Sequence, residues 1–132
     1  MQHEIVIDGG RFCDYEGFVG EFNRAYLAVC GGPPWDGEDF NDFDDFLETP
    51  GRRLTIRWMN SQKSMSDLGH EEMARFWSRW LARCRTEYPR LISMHQDYEE
   101  KIDRATAGRG ETLFDRLVVQ LCYDEHVELK LE

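Results

Sequence analysis

The sequence has no apolar run long enough to cross a membrane, and it does not begin with the basic and apolar stretches of a secretion signal. Its four cysteines lie far apart, form no C-x-x-C pair and have no histidine at zinc-ligand spacing. These absences favour free, buried thiols, a cytoplasmic location, no metal centre and no cofactor. The cysteines are Cys13, Cys30, Cys84 and Cys122.

The sequence also has none of the common catalytic motifs: it contains no GxSxG, no P-loop, no HExxH and no GxGxxG. A calcium loop starting at Asp36 would place Phe40 at its fifth position and Asn41 where glycine is required, so the EF-hand pattern fails. The four histidines have no partner pattern, and we expect them at the surface or in turns. The sequence therefore predicts a protein that is not an enzyme.

Basic residues are scarce in the first part of the chain. Residues 1–50 carry twelve acidic residues but only Arg11 and Arg24, and this net charge of −10 equals that of the whole chain. An acidic surface repels nucleic acid and anionic membranes, and it raises the encounter rate with basic proteins. We therefore expect a basic protein as partner, with no binding to nucleic acid or membranes.

The pattern of apolar residues predicts strands separated by helices in one domain of 132 residues. Residues 5–7 form an apolar run that reads as a buried strand, and residues 54–59 and 127–131 alternate as strands with two faces. Asp14 is placed to cap a first helix, and Thr112 with Asp115 has capping-box spacing. We expect an α/β fold with a small three-stranded parallel sheet and helices packed around it.

Residues 70–109 read as a helical insertion into this domain. A stripe of apolar residues that includes Trp77 and Trp80 predicts a helix ending before Pro89, and residues 90–104 suggest a second helical piece. We expect the tryptophan stripe to pack on the domain. A second contact surface, or self-association through this block, is the less favoured alternative. The same helix carries a row of arginines, for which we expect a solvated face: Arg75, Arg79 and Arg83.

Residues 36–48 hold seven carboxylates and no basic residue. Phenylalanines and Leu47 fall on one side of a predicted short helix and the carboxylates on the other. Like charges on one helix oppose its folding, and this cost is tolerable if a cationic partner later covers the cluster. A solvated face of no special role and a pair of hydrolytic carboxylates are the alternatives. Trp35, just before this segment, is either an exposed interface anchor or a cap over the local core.

Several strings in this order resemble the barstar family of ribonuclease inhibitors. They are IDG at residues 7–9, WDGEDFNDFDDFL at 35–47, LTIRWMNS at 54–61, ETLFDRLV at 111–118 and VELKLE at 127–132. The resemblance implies a bacterial immunity protein or antitoxin that binds a basic ribonuclease or nuclease toxin one to one. Carboxylates would stand where the substrate phosphates bind and would block the nuclease active site. A module of the same fold that recognises another basic protein without inhibiting it is the alternative.

The resemblance also implies which residues contact the partner. Asp45 matches the acidic residue that reaches deepest into the nuclease site, Trp35 matches an aromatic loop position, and Gly37 and Glu38 match the turn into the helix. Asn41 departs from the pattern, because a second carboxylate is expected there. The full set of predicted contact residues is Trp35, Asp36, Gly37, Glu38, Asn41, Asp42, Asp44 and Asp45.

Overall fold

The computed structural model describes residues 2–38 and 53–132. Three parallel strands form one sheet in the order β1 (Gln2–Asp8), β2 (Arg53–Met59) and β3 (Val127–Leu131). In the register of the sheet, Gln2 faces Arg53 and Leu54 faces Val127. The predicted α/β fold with a small three-stranded parallel sheet is confirmed.

Five α-helices accompany the sheet in the described part of the chain, together with a short 3-10 turn at Gly9–Arg11. The segment predicted as a helical insertion consists of α3 and α4, which pack against each other. The helices are α1 (Tyr15–Cys30), α2 (Ser61–Asp67), α3 (His70–Glu87), α4 (Ile92–Thr106) and α5 (Leu113–Cys122).

The helix ends follow the local sequence signals. The Asp14 carboxylate accepts a hydrogen bond from the Gly17 N–H at the start of α1, and Thr112 and Asp115 form a reciprocal capping box at α5. Gly31 ends α1 with a positive φ of 69°, which glycine adopts at no steric cost. The caps at Asp14 and Thr112 confirm their predictions.

The core lies between one face of the sheet and the helices, with Trp58 at its centre. The Trp58 ring is fully buried, stacks on Phe18 at 5.2 Å between centroids and meets Phe114 at 5.0 Å. Its Nε1–H donates to Ser64 Oγ on α2, which satisfies the one polar group of the ring. Burial of Trp58 therefore ties α1, α2 and α5 to the central strand.

The other face of the sheet carries exposed side chains. Val6 is 39% exposed, so the prediction that residues 5–7 form a buried strand was wrong for this position. Arg57 on the central strand bridges Glu4 at 3.5 Å and Glu132 at 2.7 Å across this face. Ile5 and Ile7 point into the core, which gives β1 the alternation of a strand covered on one side.

One helix was not predicted, and two further expectations need correction. The helix α2 was not predicted, because its sequence SQKSMSD has no apolar period and it is held by contacts to Trp58 and the end of β3. The cysteines are free, but only Cys84 is buried, while Cys13 and Cys122 are exposed. His95 is not a surface histidine, since it is 8% exposed and its Nε2 lies 2.9 Å from the Tyr88 carbonyl oxygen.

Candidate partner-binding site

The loop after α1 is fixed to that helix through Trp35. The Trp35 N–H donates to Asn23 Oδ1 at 2.9 Å, and Asn23 Nδ2 donates to the Trp35 carbonyl oxygen at 2.8 Å. The indole ring is 4% exposed and meets the rings of Tyr15 and Phe22 edge-on. Of the two interpretations of Trp35, the structure shows the cap over the local core, and the ring offers no surface to a partner.

The same loop is held a second time at Gly37. The buried Tyr15 hydroxyl donates to the Gly37 carbonyl oxygen, and Gly37 has a φ of 79°. A Cβ atom at this position would lie 2.7 Å from Val19 Cγ2, so both the backbone angle and the close approach require glycine. Burial raises the pKa of the Tyr15 hydroxyl far above its ordinary value, so it stays a neutral donor.

This anchoring leaves two of the predicted contact residues on the surface. Asp36 and Glu38 are both exposed, and Asp36 Oδ1 accepts a hydrogen bond from the Glu38 N–H at 2.9 Å. The hydrogen bond closes a local turn that limits the spacing of the two residues. The remaining predicted contacts lie outside the described residues: Asn41, Asp42, Asp44 and Asp45.

The arginine row of α3 does more than form a solvated face. Arg79 Nη1 lies 3.3 Å from Glu16 on α1, and Arg83 Nη1 lies 2.7 Å from Glu38 in the loop. Arg83 also pairs through its Nε with Glu87 at 3.0 Å. The side chains of the row are exposed as predicted, and in addition two of its arginines pair with carboxylates of the acidic first part of the chain.

A groove of about 550 Å³ runs between the loop and α3. Arg79 lies over the Tyr15 ring at 5.7 Å, and Arg83 lies over the Trp80 ring at 5.3 Å, within the range of cation–π attraction. The groove thus combines aromatic walls with charges of both signs. Its lining residues are Tyr15, Glu16, Val19, Asp36, Gly37, Glu38, Phe76, Arg79, Trp80 and Arg83.

The charged groups of the groove act on one another. The hydrogen bond to Glu87 is the largest cause that raises the pKa of Arg83 above its ordinary value, and the negative charges of Glu38 and Asp36 add to it. Both loop carboxylates therefore contribute to the negative potential at the Arg83 guanidinium. A cation that replaced the Arg83 guanidinium at this point of the groove would experience the same negative potential.

A buried carboxylate joins α3 to α1. Glu72 is 6% exposed, and its Oε2 accepts a hydrogen bond from the Tyr15 N–H at 3.1 Å while Arg75 pairs with its other oxygen. The backbone N–H groups at the start of a helix lack intrahelical acceptors, so this contact satisfies one of them. It also fixes the position of α3 relative to the loop.

Within residues 2–38 and 53–132, no three side chains of His, Cys, Asp or Glu come together as metal ligands. None of the described helices combines the length and the apolar character that a membrane span needs. In comparisons with known proteins, no family model, no curated protein and no solved structure matches this chain. The site is therefore interpreted from its own geometry.

The sequence did not reveal the groove. Its contacts join residues that lie 45 and 63 positions apart, and such pairs leave no local pattern. The sequence feature that could have indicated the groove is the charge distribution. The first part of the chain is acidic, whereas the arginine row lies in residues 70–109, where acidic and basic residues nearly balance. Tyr15 and Asn23 anchor the loop, but the sequence predicted only that they lie on a helix and not that they contact the loop.

Proposed function

We propose that this chain is a ribonuclease inhibitor of the barstar type, an immunity protein that acts in the bacterial cytoplasm. It binds a basic ribonuclease or nuclease toxin one to one and blocks its active site with carboxylates of residues 36–48. The observation that carries the proposal is the pair of exposed carboxylates, Asp36 and Glu38, on a loop that is fixed at Trp35 and Gly37.

The charge distribution supports this function. The net charge of −10 arises entirely from the first fifty residues, which include the loop. A basic nuclease cleft, which normally binds phosphates, is attracted to such a surface and can form charge-assisted hydrogen bonds with its carboxylates. The three-stranded parallel sheet is also the fold that the resemblance to barstar proteins implies.

The direct test is an inhibition assay against basic secreted-type ribonucleases and any nuclease encoded next to this chain. We expect tight inhibition by the wild type, and Asp45→Ala should weaken it by about 2–5 kcal/mol because a nuclease cation loses its buried partner. Asp97→Ala on α4 removes the same charge outside the acidic segment and is the control. Equal inhibition by both variants would contradict blockade by the acidic segment.

The alternative, a binding module for another basic protein, has one observation in its favour. Four apolar side chains are at least about a third exposed at the turn between α3 and α4, where a partner would cover them. They are Tyr88, Leu91, Ile92 and Met94. A chain that inhibits none of the tested nucleases, yet binds a basic protein, would support this second function.

A further inference from the structure

Asp36 is the one carboxylate of the groove that has no ion pair with any of the described residues. The other two acids of the groove, Glu16 and Glu38, are matched by Arg79 and Arg83. Among the described lining residues, three carboxylates therefore face two guanidinium groups, which leaves one negative charge in excess. Its aromatic faces already hold the chain's own guanidinium groups, Arg79 over Tyr15 and Arg83 over Trp80, so a partner's guanidinium could take the Trp80 face only where Arg83 leaves it.

Arg83 is bound in a way that permits exchange. Its side chain is 39% exposed, and that of Glu38 is 61% exposed, so solvent screens their ion pair. Its Nε is bonded to Glu87 on the same helix, and this contact does not involve the loop. Arg83 can therefore release Glu38 and still keep one carboxylate partner.

We propose that the groove receives the guanidinium group of an arginine from the basic partner, and that Arg83 competes with this arginine for Glu38. The incoming guanidinium would lie between Asp36 and Glu38 and against the ring of Trp80, while Arg83 turns to Glu87. The inference rests on the proposed function for the identity of the partner, but the cation site itself does not depend on it.

This arrangement makes Arg83 a specificity-determining residue. A partner must supply a cation strong enough to displace Arg83, because otherwise Glu38 stays paired within the chain. Weakly basic surfaces are thereby rejected, while an arginine gains two carboxylates and an aromatic face at once. The helix α3 then belongs to the same interface as the loop.

A matched pair of variants isolates the competition. Arg83→Gln frees Glu38, whereas Arg85→Gln removes an equal charge from the same helix but breaks only the contact with Glu99. Both variants change the net charge of the chain by the same amount, so long-range attraction is equal in the two. Any difference between them reports on the groove.

The probe is a tetra-arginine peptide, titrated at low salt into the full chain labelled with ¹⁵N. We expect chemical-shift changes at the Gly37 N–H and the Trp80 Nε1–H, and about threefold tighter binding to Arg83→Gln than to Arg85→Gln. Asp36→Asn should weaken the binding, whereas Asp97→Asn on α4 should leave it close to the wild type. Thermal unfolding of each variant verifies that it is folded.

Two results would overturn the inference: equal or weaker binding to Arg83→Gln than to Arg85→Gln, or no change at Gly37 and Trp80 in any variant. Nuclease inhibition is measured separately. Inhibition of a ribonuclease without binding of the peptide in the groove would support the proposed function and overturn the cation site. A chain that binds the peptide in the groove but inhibits no nuclease keeps the site and loses the proposed function.

Discussion

The contact between α1, the loop at residues 35–38 and α3 has an inner and an outer side, held by different interactions. On the inner side, buried groups meet, the Tyr15 hydroxyl with the Gly37 carbonyl and the Tyr15 N–H with Glu72, and the half-buried Asn23 meets the backbone of the buried Trp35. On the outer side, exposed arginines meet exposed carboxylates, as in the pair of Arg83 with Glu38.

The inner contacts determine the shape of the loop, and the outer contacts determine how its charges are paired. Breaking a buried hydrogen bond leaves a polar group without a partner and without water, which is unfavourable by the full desolvation free energy. The inner contacts therefore stay formed and fix the geometry of the loop. Exposed ion pairs contribute little to stability and exchange readily, so the outer contacts are free to take part in binding. The three predictions below test this division.

The largest effect is expected for Glu72→Ala, which leaves the buried Tyr15 N–H without its acceptor. We expect a loss of about 2–3 kcal/mol in the free energy of unfolding, measured by urea denaturation. Glu71→Ala is a close control, because Glu71 also lies in the first turn of α3, also pairs with Arg75, and is 81% exposed. Similar losses for the two variants would contradict the division between inner and outer contacts.

Gly37→Ala should cost about 1–3 kcal/mol of stability, because the positive φ and the approach to Val19 both oppose a Cβ atom. Gly20→Ala provides the comparison within α1, where a Cβ atom meets nothing within 4 Å. That substitution should stabilise the chain by up to about 1 kcal/mol, since alanine is the better helix former. A neutral effect of Gly37→Ala on urea denaturation would show that the loop is not held as described.

The smallest effect is expected for Tyr15→Phe, which removes the bond to Gly37 and should cost about 1 kcal/mol at neutral pH. Burial raises the pKa of Tyr15 in the folded chain above its ordinary value of 10.0, so only the unfolded chain ionises readily above that pH. The contribution of the hydroxyl is therefore complete below pH 10 and falls as the pH rises further. Urea denaturation of the wild type and of Tyr15→Phe should show a smaller difference in the free energy of unfolding at pH 10.5 than at pH 7.

The elements that the sequence predicted best are those with local signals. The caps at Asp14 and Thr112 and the alternation in β2 are decided by neighbouring residues, so they could be read directly. Helix α2 could not be predicted from the sequence, because it is held by tertiary contacts: the hydrogen bond of Trp58 to Ser64 and the bonds of Ser61 to Glu132. Helix propensity depends only on residue type and does not include such tertiary contacts.

For the candidate site, the sequence indicated the acidic loop but not the groove beside it. The exposed position of Asp36 and Glu38 follows from the loop's composition, whereas the burial of Trp35 depends on Asn23 and on rings contributed by α1. The meeting of Arg83 with Glu38 depends on where α3 packs, which Glu72 helps to decide. The inhibitory function itself stays a prediction.

The register of the sheet has a consequence for the order of folding. Gln2 pairs with Arg53 and Leu54 with Val127, so the strand pairings span 51 and 73 residues of chain. Loops of this length close slowly, whereas the neighbouring helices α3 and α4 can associate early through contacts close in sequence. The contact between α1 and α3 spans 57 residues, so the loop gains its final geometry late. A newly synthesised chain therefore carries Asp36 and Glu38 before the contacts that hold their loop against α1 and α3 have formed.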